Sequence, residues 1–189
     1  MTQVQAGGAA ASGAEIDSSL VVLLDENGTP VGSASKASVH GADTPLHLGF
    51  SCHVLLGDGR LLVTRRALSK RTFPGVWTNA FCGHPAPGEA VRDAVRRHAR
   101  TELGIELAGL ELALPDFRYR ACDTEGTVEY EICPVFVAHC VGEPVANPDE
   151  VDGLTAVTPA DLATALRATP WAFSPWLVEQ AKQLPLYRE

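Results

Sequence analysis

The sequence predicts an α/β (α+β) fold, a sandwich of mixed sheets flanked by helices, and three observations carry that expectation. The first is a pair of hairpin patterns. Residues 19–25 form a run rich in Val and Leu that ends at Glu26-Asn27-Gly28, and apolar runs at 49–56 and 60–65 flank Asp58-Gly59. The second is the segment 88–103, where Val91, Ala94, Val95, Ala99 and Leu103 fall on one helical stripe and Gly104 supplies a stop. The third is a pair of closing helices over 159–166 and 175–184, each with proline at or near its first turn. Between hairpins and central helix, Phe73-Pro74-Gly75 breaks the chain, and residues 128–140 read as one continuous strand.

The chain has 189 residues, 46% of them apolar, which suits one domain with a full core. We expect a flexible Gly/Ala/Ser tail over 1–17 and a single domain over 18–189, with no internal repeat and no dividing linker. A formal net charge of −8 argues against a nucleic-acid partner and against an anionic membrane surface. An anionic small molecule would therefore need basic residues concentrated locally. The five cysteines (52, 82, 122, 133 and 140) are an odd set without a CxxC pair, as expected of reduced thiols in a cytoplasmic protein. The amino terminus lacks a basic region and a long apolar stretch, and no segment approaches the roughly 20 apolar residues of a membrane span. Monomer and homodimer both stay open.

Chemistry concentrates in two short segments, Asn79-Ala80-Phe81-Cys82-Gly83-His84-Pro85 and Glu129-Tyr130-Glu131-Ile132-Cys133-Pro134-Val135. In extended chain, residues i and i+2 share a face, so Cys82 would lie beside His84 and Glu129 beside Glu131. A thiol, an imidazole and paired carboxylates suit a metal site with acid–base chemistry at its edge.

Gly83, Glu89, Arg97, Glu102, Gly104 and Ile105 keep the spacing of a Nudix box, a loop–helix–loop that normally uses several glutamates to hold Mg²⁺ against a diphosphate. Here His98 and Thr101 stand where that box has glutamates, leaving Glu102 and, further back, Glu89. With the two segments above, and with Leu46-His47-Leu48, Val63 through Lys70, Pro74 through Asn79, Asp116 through Arg120 and Thr169 through Trp176, the chain resembles type I isopentenyl-diphosphate delta-isomerase. The resemblance runs from about Leu20 to Gln180 and implies a Nudix-like α/β/α sandwich.

What it implies chemically is the conversion of isopentenyl diphosphate to dimethylallyl diphosphate in isoprenoid biosynthesis. The alkene is protonated, and a proton is then removed from the tertiary carbocation. That task needs an acid, a base, a dry pocket and a diphosphate anchor. The resemblance implies metal ligation by His40, His47, His84, Glu129 and Glu131, a mixed N/O set open to Mn²⁺, Zn²⁺ or Mg²⁺. Glu102 and the backbone carbonyl of Cys82 correspond to contacts with a substrate-linked Mg²⁺. Lys36, Arg66 and Lys70 match positions that meet the diphosphate, and a helical turn would aim Arg66 and Lys70 the same way. Cys82 is the expected acid, since a thiol near its ordinary pKa of about 8.5 is protonated at neutral pH. Glu131 is its expected partner, with Tyr119 donating a hydrogen bond to that carboxylate. Which of the two makes the final transfer stays open. Trp176 is expected to turn its ring towards the developing cation. Trp77 and Trp171 are assigned to the core, and Cys52, Cys122, Cys133 and Cys140 are read as small buried hydrophobes. The competing readings are a Nudix-type pyrophosphatase and a metal- or redox-sensing binding module.

Overall fold

A computed structural model describes residues 16–188; most of the tail expected over 1–17 lies outside the described residues. The first hairpin pairs β1 (Leu20–Leu24) with β2 (Pro30–Ser35) and leads into a single helical turn, α1 (Lys36–Val39). A two-residue strand β3 (His47–Leu48) continues almost directly into β4 (Phe50–Leu55), which turns back into β5 (Leu61–Arg66). Two short strands, β6 (Trp77–Thr78) and β7 (Phe81–Gly83), precede the central helix α2 (Val91–Leu103). Then follow β8 (Glu106–Leu114), β9 (Arg118–Cys122), β10 (Val128–Ile132), β11 (Val135–Val141) and β12 (Val151–Val157). Helices α3 (Pro159–Ala168) and α4 (Pro175–Gln183) close the chain.

The strands form two mixed sheets. One has five strands in the order β2-β1-β3-β10-β9; the other has seven, with β12-β5-β4-β11-β8 as its path, β6 on β5 and β7 on β4. Residues 128–140 are therefore not one strand. The run breaks at Cys133-Pro134, so that β10 belongs to the first sheet and β11 to the second. Proline has no N–H to give a ladder, which makes it a natural crossing point. The segment β3–β4 makes the same crossing beside it. Its strands run parallel to β10 and β11, and Gly49 N donates to Ile132 O (2.9 Å) while Ser51 N donates to Pro134 O (3.1 Å).

Side-chain alternation divides the core. Phe50, Cys52 and Val54 of β4 pack with Ala94, Val95, Ala99 and Leu103 of α2, as the helical stripe predicts. Leu61 and Val63 of β5 and Val135 of β11 pack with Leu162, Leu166, Trp176 and Leu177 of α3 and α4. The seven-stranded sheet is thus sandwiched between helices. Each fully buried Leu or Val contributes roughly 1.5–3 kcal/mol to this arrangement. Gly104 ends α2 in the left-handed region (φ 63°), where a side chain would be strained.

Candidate active site

Where the chain crosses between sheets, β3 and β10 bring their polar residues together. His47 and Glu131 are partners in the parallel ladder, and Glu129 lies two residues back on the same face. His40 caps the carboxy end of α1, and His84 follows β7. His40 Nε2 lies 3.1 Å from Glu129 Oε2, His84 Nε2 3.0 Å from Glu131 Oε1, and His47 Nε2 3.2 Å from His84 Nε2. One nitrogen or oxygen from each of His40, His47, His84 and Glu129 falls within 4.8 Å of all the others. His47 Nδ1 donates to the Pro45 carbonyl (2.9 Å), which leaves Nε2 as a lone-pair nitrogen facing the cluster.

The histidines and carboxylates of this cluster shift one another's protonation. Burial alone would raise the Glu131 carboxyl, yet His47 and His84 more than offset that and hold it well below the usual range. Burial lowers His84 despite Glu131, whereas Glu131 and the Pro45 carbonyl outweigh burial and raise His47. His40 Nε2 and Glu129 Oε2 are close, yet both are buried without a hydrogen bond. Orphaned lone pairs among three imidazoles and two carboxylates fit a divalent metal of borderline hardness. Gly49 is part of the fit: a Cβ there would overlap the Glu131 carboxylate.

His40, His84, Glu129 and Glu131 line a cavity of about 290 Å³, with His47 fully buried behind them, and the cavity also reaches Lys36, Arg66, Lys70, Cys82, Glu102, Tyr119 and Trp176. Arg66 Nε and Nη2 donate to the Thr72 carbonyl (3.2 and 2.8 Å), and its guanidinium carbon stands 5.5 Å from the centre of the Trp176 ring. The expected helical turn does not form: Arg66 ends β5, and Lys70 N donates to Ala67 O in a tight turn. Both side chains nonetheless face the cavity, Lys70 through an ion pair with Glu150. Lys36 is half-buried, which lowers its pKa. Glu102 Oε1 is 2.5 Å from His98 Nδ1, and Glu89 is spent on Arg97 (2.8 and 2.7 Å) and the Ala86 amide rather than on the cavity. Thr101 bonds back to the Arg97 carbonyl (3.1 Å).

Cys82 pairs with Ser51 across β7 and β4 and stands on the α4 side of the sheet. Burial pushes its thiol up to about 11, against hydrogen bonds with Ser51 and Asn79. Its Sγ donates to Asn79 Oδ1 (3.3 Å), which also accepts from Trp176 Nε1 (3.1 Å). Asn79 Nδ2 donates to the Cys52 and Phe81 carbonyls (2.9 and 2.8 Å), fixing the amide. From the sequence, Asn79 and His98 had no role at the site, and Ser51 and Glu150 gave no sign of belonging to it. A buried amide inside the thiol segment was the available signal for Asn79; the others have none.

Three further expectations need correction. Tyr119 sits opposite Glu131 in the β9–β10 ladder, but its hydroxyl makes no hydrogen bond to that carboxylate; burial and the charges of Glu131 and Glu129 raise its pKa well above the ordinary value. Its ring packs instead on Phe117 and Trp176, with centroids 5.9 and 5.6 Å away. Trp171 is not core: it lies on the 3-10 turn Pro170–Ala172 and is 82% exposed, whereas Trp77 is half-buried against the core. Cys52 and Cys133 are buried as expected, but Cys140 is only partly covered, and Cys122 ends the edge strand β9 and is exposed.

Residues 45–177 match the NUDIX domain. An isopentenyl-diphosphate Delta-isomerase of Agromyces mediolanus is 64% identical over 166 residues, 88% of this chain and 81% of that one. The Brevibacterium linens isopentenyl-diphosphate Delta-isomerase is 55% identical over 171 residues, covering 90% and 94%. Among solved structures, a Deinococcus radiodurans protein superposes with a TM-score of 0.68 at 22% identity, over 88% of this chain and 99% of its own, a likeness of fold.

Proposed function

The chain belongs to the Nudix family and, within it, to the isopentenyl-diphosphate Delta-isomerases, and we propose that it converts isopentenyl diphosphate to dimethylallyl diphosphate by protonating and deprotonating the alkene. The observation that carries this reading is that Cys82 and Glu131 reach one cavity from different sheets, Cys82 from β7 and Glu131 from β10. A flat allyl unit between them would meet an acid on one face and a base on the other.

Cys82 holds the proton to be delivered, since burial keeps the thiol protonated through neutral pH. Glu131, held ionised, accepts the proton lost from the other side. Tyr119, adjacent to Glu131, is the alternative carrier for that transfer. Trp176 walls the pocket with its ring and keeps water from the carbocation; Arg66 already occupies a position over that ring. Lys36, Arg66 and Lys70 supply the positive charge that the diphosphate needs, within a chain that is acidic overall. His40, His47, His84, Glu129 and Glu131 would hold a divalent metal (Mn²⁺, Zn²⁺ or Mg²⁺), whose charge would keep both carboxylates ionised. Glu102, with the Cys82 carbonyl, would meet a Mg²⁺ that arrives with the substrate. Among the described residues no helix is long and apolar enough to cross a membrane, and the free cysteines support a reducing, cytoplasmic setting.

A pyrophosphatase is the weaker reading, because His98 and Thr101 replace the box glutamates and Glu89 is tied to Arg97. Incubation with isopentenyl diphosphate and Mg²⁺ in heavy water distinguishes them. We expect dimethylallyl diphosphate with deuterium in its newly formed methyl group and no phosphate release. Unlabelled product, or phosphate without isomer, overturns the proposal.

A further inference from the structure

Behind Cys82 lies a run of buried polar side chains that the proposed chemistry does not itself use. Ser51 Oγ is 3.2 Å from Cys82 Sγ and accepts from Gln180 Nε2 at 2.9 Å. Gln180, on α4, has no exposed surface at all. Its Oε1 is 2.9 Å from His53 Nε2, and His53 Nδ1 is 2.8 Å from the Tyr187 hydroxyl. The polarity of this run follows from the orientation of the Gln180 amide, with Oε1 towards His53 and Nε2 towards Ser51. An amide oxygen only accepts, so His53 Nε2 carries the proton, its Nδ1 accepts, and Tyr187 donates. With its oxygen satisfied there, Gln180 presents its NH₂ to Ser51. Ser51 accepts that bond, and its own hydroxyl proton is free to point at Cys82 or at Cys133, whose Sγ is 3.5 Å away. Burial lowers His53 to about 4, so it stays neutral and the polarity does not reverse at working pH. A reversed amide would draw the Ser51 proton towards Gln180 and leave Cys82 without a donor.

We propose that Gln180 is a positioning residue for the isomerisation, acting through Ser51 to hold a hydroxyl donor on the Cys82 sulfur, with His53 and, behind it, Tyr187 anchoring its amide oxygen. When Cys82 gives up its proton, the sulfur is left with a hydrogen bond already aimed at it, and no group has to reorient. The inference rests on Cys82 being the acid. It assigns no contact between Gln180 and substrate.

The test is a double-mutant cycle in steady-state turnover of isopentenyl diphosphate by the metal-reconstituted protein, with Cys82→Ala as the control. Gln180→Met and Ser51→Ala should each lower kcat by about five- to tenfold with KM unchanged, as loss of one neutral hydrogen bond in the transition state implies. In the Ser51→Ala background, Gln180→Met should cost nothing further. Losses that multiply, a change confined to KM, or wild-type kcat in Gln180→Met overturns the inference. Should Gln180→Met fail to fold, Tyr187→Phe removes one hydroxyl at the far end; it should lower kcat about two- to threefold, again only when Ser51 is present. Wild-type turnover in Cys82→Ala would reject the acid assignment itself, a result separate from any of these.

Discussion

On the cavity floor, where the end of α1 meets β10, His40 Nε2 and Glu129 Oε2 are buried and unbonded, whereas on the wall built by β4, the β6–β7 segment and α4 the side chains of Ser51, Asn79, His53 and Gln180 are all hydrogen-bonded. The difference has an energetic meaning. Each buried polar atom left without a hydrogen bond costs roughly 1–3 kcal/mol, so the two on this floor favour a ligand that would satisfy them. The wall needs nothing more, and its bonds fix where the Cys82 sulfur sits. On the proposed reading one region serves a cation and the other a proton, and both open on a single cavity.

Chelation tests the floor with the largest expected effect. Removing divalent metal should abolish isomerisation and lower the melting temperature, and adding metal back should restore both. Full activity in a preparation verified as metal-free breaks the comparison. Glu131→Gln comes next, because the residue belongs to the floor and in the proposed mechanism also accepts the proton. We expect kcat to fall by about 10²–10⁴-fold and bound metal to decrease; metal analysis alongside kinetics checks both. Glu102→Gln and His84→Ala sharpen the division within the floor. The first should raise the Mg²⁺ concentration needed for turnover and spare tightly bound metal, and the second should lose that metal. Identical metal profiles would merge the two sites into one. The smallest effect belongs to the tryptophans: Trp171→Ala, at an exposed turn, should leave kcat/KM within about twofold, while Trp176→Ala should lower it more than tenfold, since Trp176 lines the cavity and donates to Asn79.

The floor was far more legible in the sequence than the wall. His84 lies in one motif and Glu129 and Glu131 in another, and period-2 alternation put the two carboxylates on one face of β10. The helical stripe of α2 and its Gly104 stop followed from the 3.6-residue period in the same way. The crossing at Cys133-Pro134 was hidden because an apolar run looks the same whether it stays in one sheet or passes to the next. The wall joins Ser51 to Gln180 and His53 to Tyr187 over more than a hundred residues of chain, where no local spacing can report contact. Besides the Asn79 amide, a glutamine on the same face of α4 as Trp176 and Leu177 was the local sign that a polar network lay beneath. Trp171 misled for the opposite reason: a large aromatic residue predicts burial on average, and a 3-10 turn held it outside.

The separation of metal floor from proton-delivering wall is tested most directly by Cys82→Ala, assayed for bound metal and for turnover in the same preparation. We predict metal content equal to that of the unaltered protein, with turnover reduced by at least about 10²-fold. Turnover at the unaltered rate, or metal lost in step with activity, would contradict it.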